Sequence, residues 1–237
     1  MPEFPTEALH ASLELGVIGN GSVAALIDPH ARIVWCCLPR FDADASFCSL
    51  LSPTSGGGDW AIELEDFDHV EQFYLANTAV LVTRLFDRQG GAIEITDFAP
   101  RHRLNGRFYH PEMLVRRVAP IAGSPRIRVR MRPLCEYGAR APATTAGSNH
   151  IRYLLSDVVQ RLTIDIAPPL VERQLPFGLD RPAHFVFGPD ETVGTNVADF
   201  VHLALERTLD YWREWARYMS IPYEWQEGVM RAAITLR

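Results

Sequence analysis

Apolar and polar residues alternate in short runs along most of the chain, with a period of two rather than the three to four of a helix. The clearest run is Arg126-Ile127-Arg128-Val129-Arg130-Met131-Arg132. As a strand it sends Ile127, Val129 and Met131 to a core and four arginines to the opposite face. Val23 to Ile27 and Ile33 to Leu38 read as strands around the turn Asp28-Pro29-His30. Asn20-Gly21 ahead of them is a hairpin signal of type I′, which needs positive φ at both central residues. Trp60 to Leu64, Gln72 to Leu75, Thr78 to Phe86, Ala92 to Phe98 and Met113 to Val118 read as further strands. His150 to Leu155, Gln160 to Ile166 and Ala183 to Phe187 complete the set, while Arg101 to His110 and Ala139 to Asn149 read as longer loops. The apolar run after Pro39-Arg40-Phe41-Asp42 looks helix-like. Turn residues recur at short intervals, which favours sheet packed on sheet over βαβ units. The expectation is an all-β fold, a large antiparallel β-sandwich.

The period changes near the C-terminus. From Thr195 to Met219 apolar residues fall at Val197, Phe200, Val201, Ala204, Leu205, Leu209, Trp212, Trp215 and Met219, the spacing of an amphipathic helix. Thr195 or Asn196 caps its start, and Ile221-Pro222 ends it. A second helix is predicted from about Tyr223, with Trp225, Val229, Ala232, Ala233 and Leu236 on one side. Such a face needs something to pack against, and the expectation is that the chain is cut short of it. The boundaries expected are a sandwich over 1–192, a linker helix over 193–222 and the start of another domain over 223–237.

Composition narrows the classes of function. The chain has 237 residues, 47% of them hydrophobic, and a net charge of −6. An acidic balance argues against nucleic acid, which needs a basic surface. No apolar run approaches the roughly 18–20 residues that span a bilayer, and the first residues lack a basic start and an apolar core, so a cytoplasmic protein without a membrane is expected. Cys36, Cys37, Cys48 and Cys135 have no Cys-x-x-Cys partner or zinc-ligand spacing and are expected to be buried, inert thiols.

Chemistry-bearing patterns are sparse. Arg40 and Asp42 flank Phe41; they either orient a sugar hydroxyl, hold the loop against another domain, or form a local ion pair. The arginine row reads as a solvated or cross-strand-paired face. Glycoside hydrolysis needs two carboxylates about 5–10 Å apart, but Glu63, Glu65, Asp66 and Asp68 read as a solvated face, and Glu94 and Asp97 point to opposite sides. Gly56-Gly57-Gly58 lacks a phosphate-loop ending, and Ser46 and Ser52 lack a nucleophile elbow. His102 and His110 share one loop without metal-ligand spacing. No catalytic pair, metal or cofactor is expected. Trp60, Phe73 and Tyr74 would supply an aromatic platform if the chain were a carbohydrate-binding module, whereas Trp35, Trp212, Trp215 and Trp225 suit a core or interface. A third alternative is a homo-oligomer paired through the terminal helices.

The ordered segments also carry a resemblance. Ile18-Gly19-Asn20-Gly21-Ser22-Val23-Ala24-Ala25-Leu26, then Ile33-Val34-Trp35-Cys36-Cys37-Leu38-Pro39-Arg40-Phe41-Asp42, begin it. Tyr74 to Leu81, Ile95 to Pro100, Leu114 to Val118, Tyr211-Trp212-Arg213-Glu214-Trp215 and Val229 to Arg237 continue it. Together they resemble the N-terminal region of glycoside hydrolase family 15, the glucoamylase-like and trehalase-like proteins. The resemblance implies a β-sandwich of the supersandwich type joined by linker helices to an (α/α)6 barrel, the chain's own missing partner, where α-glucosidic bonds are hydrolysed with inversion. It implies that Val229 to Arg237 opens the barrel's first helix and that the catalytic glutamates lie beyond it. Arg40, Phe41 and Asp42 are then expected to face the catalytic domain or border an oligosaccharide site. His30-Ala31-Arg32 and Cys36 depart from the family's usual residues, and 139–194 matches it loosely.

Overall fold

β-branched and aromatic residues in short alternating runs suit a pleated, half-buried surface, and that is how the chain is laid out. The computed structural model describes residues 4, 13–51, 56–221 and 224–237. Ser52, Pro222 and Tyr223 lie outside them, as do residues 1–3 and 5–12. The strands are β1 (Gly16–Gly19), β2 (Ala24–Ile27), β3 (Ile33–Cys37), β4 (Ala45–Phe47), β5 (Asp59–Leu64), β6 (Phe67–Tyr74), β7 (Leu81–Asp87) and β8 (Ala92–Phe98). They continue as β9 (His102–Leu104), β10 (Arg107–Tyr109), β11 (Leu114–Ala122), β12 (Arg126–Arg132), β13 (Ala143–Ala146), β14 (His150–Leu154) and β15 (Val159–Ile164). After a short helix α1 (Pro168–Glu172) come β16 (Phe177–Gly178) and β17 (Ala183–Pro189), then α2 (Val197–Arg217) and α3 (Gln226–Thr235).

Among the described residues these strands form two large antiparallel sheets. One runs β1-β2-β3-β5-β12-β16 with β4 added to β3; the other runs β13-β14-β15-β17-β11-β8-β7-β6. Between them lies one contiguous apolar cluster, in which Ile27, Ile33, Phe47, Trp60 and Ile62 of the first sheet meet Ile93, Ile95, Leu114, Phe185 and Phe187 of the second. Helix α2 then covers the far side of the second sheet, packing Val197, Val201 and Ala204 on Val80, Phe98, Val115 and Val186. The layers are therefore sheet, sheet, helix. Asn196 caps α2, its side chain accepting from the Ala198 N–H at 2.8 Å.

Several local expectations are corrected. The run after Asp42 is strand β4 rather than helix, because Ala45 to Phe47 pair with the end of β3. The segment Arg101 to His110 contains the hairpin β9-β10, and Ala139 to Asn149 contains β13. Asn20-Gly21 does not form a two-residue turn: β1 and β2 are joined by four residues, and of the two only Gly21 has positive φ, +86°. Asn20 is instead fully buried, and its Oδ1 accepts from the backbone of Ser22 and Val23.

Candidate functional site

The loop after β3 places its two charges against each other. Arg40 donates from Nε and Nη2 to Asp42 at 2.9 and 2.5 Å, with both side chains in solvent. That bond holds the Asp42 carboxyl below the usual carboxylate range. The local ion pair is therefore formed. Phe41 between them is 58% exposed, and it lines a cavity of about 340 Å³ with Val17, Ala24, Trp212, Ile234 and Leu236. The loop and the C-terminal end of α3 thus share one face of the sandwich.

Arg101 ties that face together, and nothing in its sequence neighbourhood announces this. It follows β8 and is buried, with Nη1 donating to the Asn20 carbonyl at 2.8 Å and to the Arg237 carbonyl at 3.1 Å. Its Nε donates to the Tyr211 hydroxyl at 3.0 Å, and its backbone N–H to Thr208 Oγ1 of α2 at 3.2 Å. The guanidinium also lies 5.2 Å from the Tyr211 ring centroid and 5.5 Å from that of Trp212. Asn20 adds two further ties, donating from Nδ2 to the carbonyls of Pro100 and Pro111 at 3.0 and 2.8 Å.

Helix α3 lies on this base with Met230 and Ile234 inward, against Ala79, Tyr211, Trp212 and Ala216. Arg231 secures it, stacking 3.7 Å over the Tyr74 ring and donating to the Thr78 carbonyl. The stripe that the sequence assigns to packing faces the other way. Trp225 is 85% exposed, Leu236 89% and Val229 40%, and Ala232 between them is exposed as well. Spacings of three and four residues line up Val229, Ala232 and Leu236 on the outer side of α3, and Trp225 stands exposed at its left-handed N-cap.

The family described as "Trehalase-like, N-terminal" has a sequence model that matches residues 10–157. The chain belongs to this family. Among curated proteins it is similar to a trehalase of Thermoplasma volcanium, 27% identical over 94% of this chain and 36% of that protein. Trehalase 1 of Sulfolobus acidocaldarius is 27% identical over 93% of this chain and 37% of its own length. A trehalase of Thermoplasma acidophilum is 25% identical over 90% and 37% respectively. The chain therefore spans a little over a third of the length of these relatives. No solved structure gives a significant match.

In this trehalase-like N-terminal domain the acidic candidates serve structure. Glu63 is buried, not solvated, because the β5-β12 register sets it opposite Arg128. It accepts from Arg128 at 2.5 Å and from Arg130 at 2.9 Å, and Arg130 also reaches Asp59 at 2.7 Å. Glu65 pairs with Arg126 at 2.9 Å, so the arginine row is cross-strand paired. Asp68 stays exposed. Glu94 bonds Arg84 on one face of β8 while Asp97 turns inward to Arg116, so the two do not meet.

The proposed aromatic platform is not assembled. Trp60 is fully buried between the sheets, at aromatic contact with Phe47, Phe185 and Phe187. Tyr74 is held by its hydroxyl to Val17 and lies under Arg231, leaving Phe73 alone at the surface. Trp212 is in the core and Trp215 half-buried, whereas Trp225 is exposed. His102 packs on Tyr109, and His110 bonds Ser22, so the two histidines of one loop have separate partners. All four cysteines are free and buried, and burial pushes the thiols of Cys36, Cys37 and Cys48 up. No helix is long and apolar enough to cross a membrane among the described residues.

Proposed function

We propose that the chain is the non-catalytic N-terminal domain of a family 15 glycoside hydrolase, and that it braces a helical catalytic domain. In this reading 1–192 is the sandwich, 193–222 the linker helix and 223–237 the first turns of the (α/α)6 barrel. The observation that carries it is the exposed apolar row of Val229, Ala232 and Leu236 on α3, with Trp225 exposed at its start; Leu236 also shares a cavity with Phe41. A row of that kind on one helix matches the face that a neighbouring barrel helix buries. The relatives named trehalases are nearly three times as long as the aligned stretch, and their names favour trehalose over longer α-glucans as the substrate. Four buried, unpaired thiols fit the cytoplasm.

Among the described residues no two acidic side chains are poised as acid and base. The purified 237-residue chain is therefore expected to release no glucose from trehalose or maltoheptaose. Reading the gene beyond the Arg237 codon tests the larger claim. Helical segments carrying acidic residues are expected there, and the extended protein should hydrolyse an α-glucoside, with Trp225→Asp and Leu236→Asp together lowering activity at least tenfold. A stop codon directly after Arg237 would sink this reading.

A further inference from the structure

Each large sheet ends in strands whose outer N–H and C=O groups meet no neighbouring strand. Such an edge is a template for another chain unless something blunts it. Among the described residues, all but one of these edges are blunted. At β1 the Tyr74 hydroxyl accepts from the Val17 N–H at 2.6 Å and donates to the Val17 carbonyl at 3.0 Å. β6 carries Asp68, His69 and Glu71, and its register slips between Phe67 and His69. β4 has three residues, and its Ser46 carbonyl accepts from the Leu134 N–H at 2.9 Å. β16 has only two residues.

β13 is the exception. Ala143-Thr144-Thr145-Ala146 keeps an unbroken register with β14, carries no charge and is exposed at all four positions. The Gly147 N–H donates to the His150 carbonyl at 2.8 Å, in line with that register. Antiparallel ladders alternate, so Ala143 and Thr145 bond β14 as Gly147 does, while Thr144 and Ala146 turn their N–H and C=O groups outward. Pro142, which has no N–H, closes the row.

We propose that β13 pairs antiparallel with β13 of a second copy, about a two-fold axis that passes through Thr145. In that register Thr144 of each copy lies opposite Ala146 of the other, and every outward N–H and carbonyl of the two strands finds a partner. Moving the axis to Thr144 would leave both Ala146 carbonyls facing Pro142, which has no donor. Thr145 meets its own copy, a favourable cross-strand pair, and no like charges come opposite each other. Arg152, beside Thr145 on β14, is already held by Asp190 at 2.8 Å. The eight-stranded sheet then runs on into its copy through an isologous contact. A foreign peptide fits less well. Strand addition selects its peptide through pockets for alternate side chains, and alanine and threonine are too small to wall one. β13 and β6 are opposite edges of one sheet, and Arg231 of α3 stacks on Tyr74 of β6, so this pairing does not rest on the function proposed above.

Sedimentation velocity of the intact 237-residue chain tests it over a hundredfold range of concentration. The weight-average mass is expected to rise from 26.7 kDa towards twice that value. Thr145→Lys sets like charges face to face on the axis, and Ala146→Pro removes an outward donor without touching the bonds to β14. Each should raise the dimer dissociation constant at least tenfold, whereas Leu236→Asp on α3 should leave it unchanged. The four native thiols are buried, so an added cysteine reports on the edge alone. Mild oxidation should join Thr145→Cys chains by a disulfide, since opposed Cα atoms about 4.5 Å apart allow one, and should not join Thr144→Cys chains. A mass of 26.7 kDa at every concentration overturns the proposal. So does a dimer that Thr145→Lys leaves intact, that Leu236→Asp abolishes, or that cross-links equally from 144 and 145.

Discussion

Arg116 of β11 and Asp97 of β8 form a two-pronged ion pair between the sheets, at 2.7 and 2.9 Å, with each side chain only 1% exposed. Arg116 also crosses the core, donating to the carbonyls of Trp60 in the opposite sheet at 3.0 Å and of Ala31 in its β2-β3 turn at 2.5 Å. It is thus a polar rivet through an apolar layer. Asp97→Ala should cost about 3–5 kcal/mol, because it leaves an uncompensated buried cation. Replacing both residues by Leu and Met should recover only part of this, since the two carbonyls then lose their donors. Urea unfolding of the single and double variants measures both; a double variant as stable as the parent would refute the rivet.

Arg101→Met removes the bonds to Asn20, Tyr211 and Arg237 at once. Hydrogen bonds from charged donors contribute about 1.5–3 kcal/mol each and do not simply add. The expected outcome is local. Amide exchange over 226–237 should quicken tenfold or more while β5, β8 and β12 keep their protection. Uniform change across the chain would mean that Arg101 is not the tie between sandwich and helix.

His102 carries a pH dependence. It is buried with Nδ1 unpartnered, and burial together with the nearby Arg207 pushes its pKa down. The unfolded chain, with an ordinary value near 6.5, then binds more protons than the folded one below that pH. Stability is therefore complete above about pH 6.5 and is lost as pH falls towards the folded value. Melting at pH 7.5 and 5.5 should differ less in His102→Leu than in the parent. Some dependence should remain, because His150 is lowered too, mainly by burial. An unchanged pH slope would remove His102 from the account.

Tyr137→Asn should raise stability by about 0.5–1 kcal/mol, since asparagine adopts the left-handed backbone at lower cost and no packing is lost. A lower melting temperature for this variant would show that the ring supports the fold after all.

The sandwich was legible because a buried sheet face imposes period two, and the arginine row of β12 alternates without a break. Asn196 likewise announced the start of α2. Short elements were not legible: Ala45 to Phe47 is an apolar run too brief for periodicity to separate strand from helix. β9 and β10 have three residues each, too few to show a period, and β9 lies against α2. Trp60 and Glu63 adjoin a glycine-rich turn and an acidic run, and only the register with β12 shows that both are enclosed. Helix α3 has two apolar sides, and sequence spacing does not say which one the sandwich takes. Arg101 was invisible for a simpler reason: all four of its hydrogen-bonding partners lie more than eighty residues away.

The second sheet is apolar on both of its faces, and α2 covers Val80, Phe98, Val115 and Val186 on the outer one. During synthesis that wall of Val80, Phe98, Val115 and Val186 stays wet until residues 197–204 have left the ribosome. A polypeptide released before that point would carry an adhesive surface as large as a helix footprint. The last helices are therefore the chain's own protection against clumping, whatever else they come to touch.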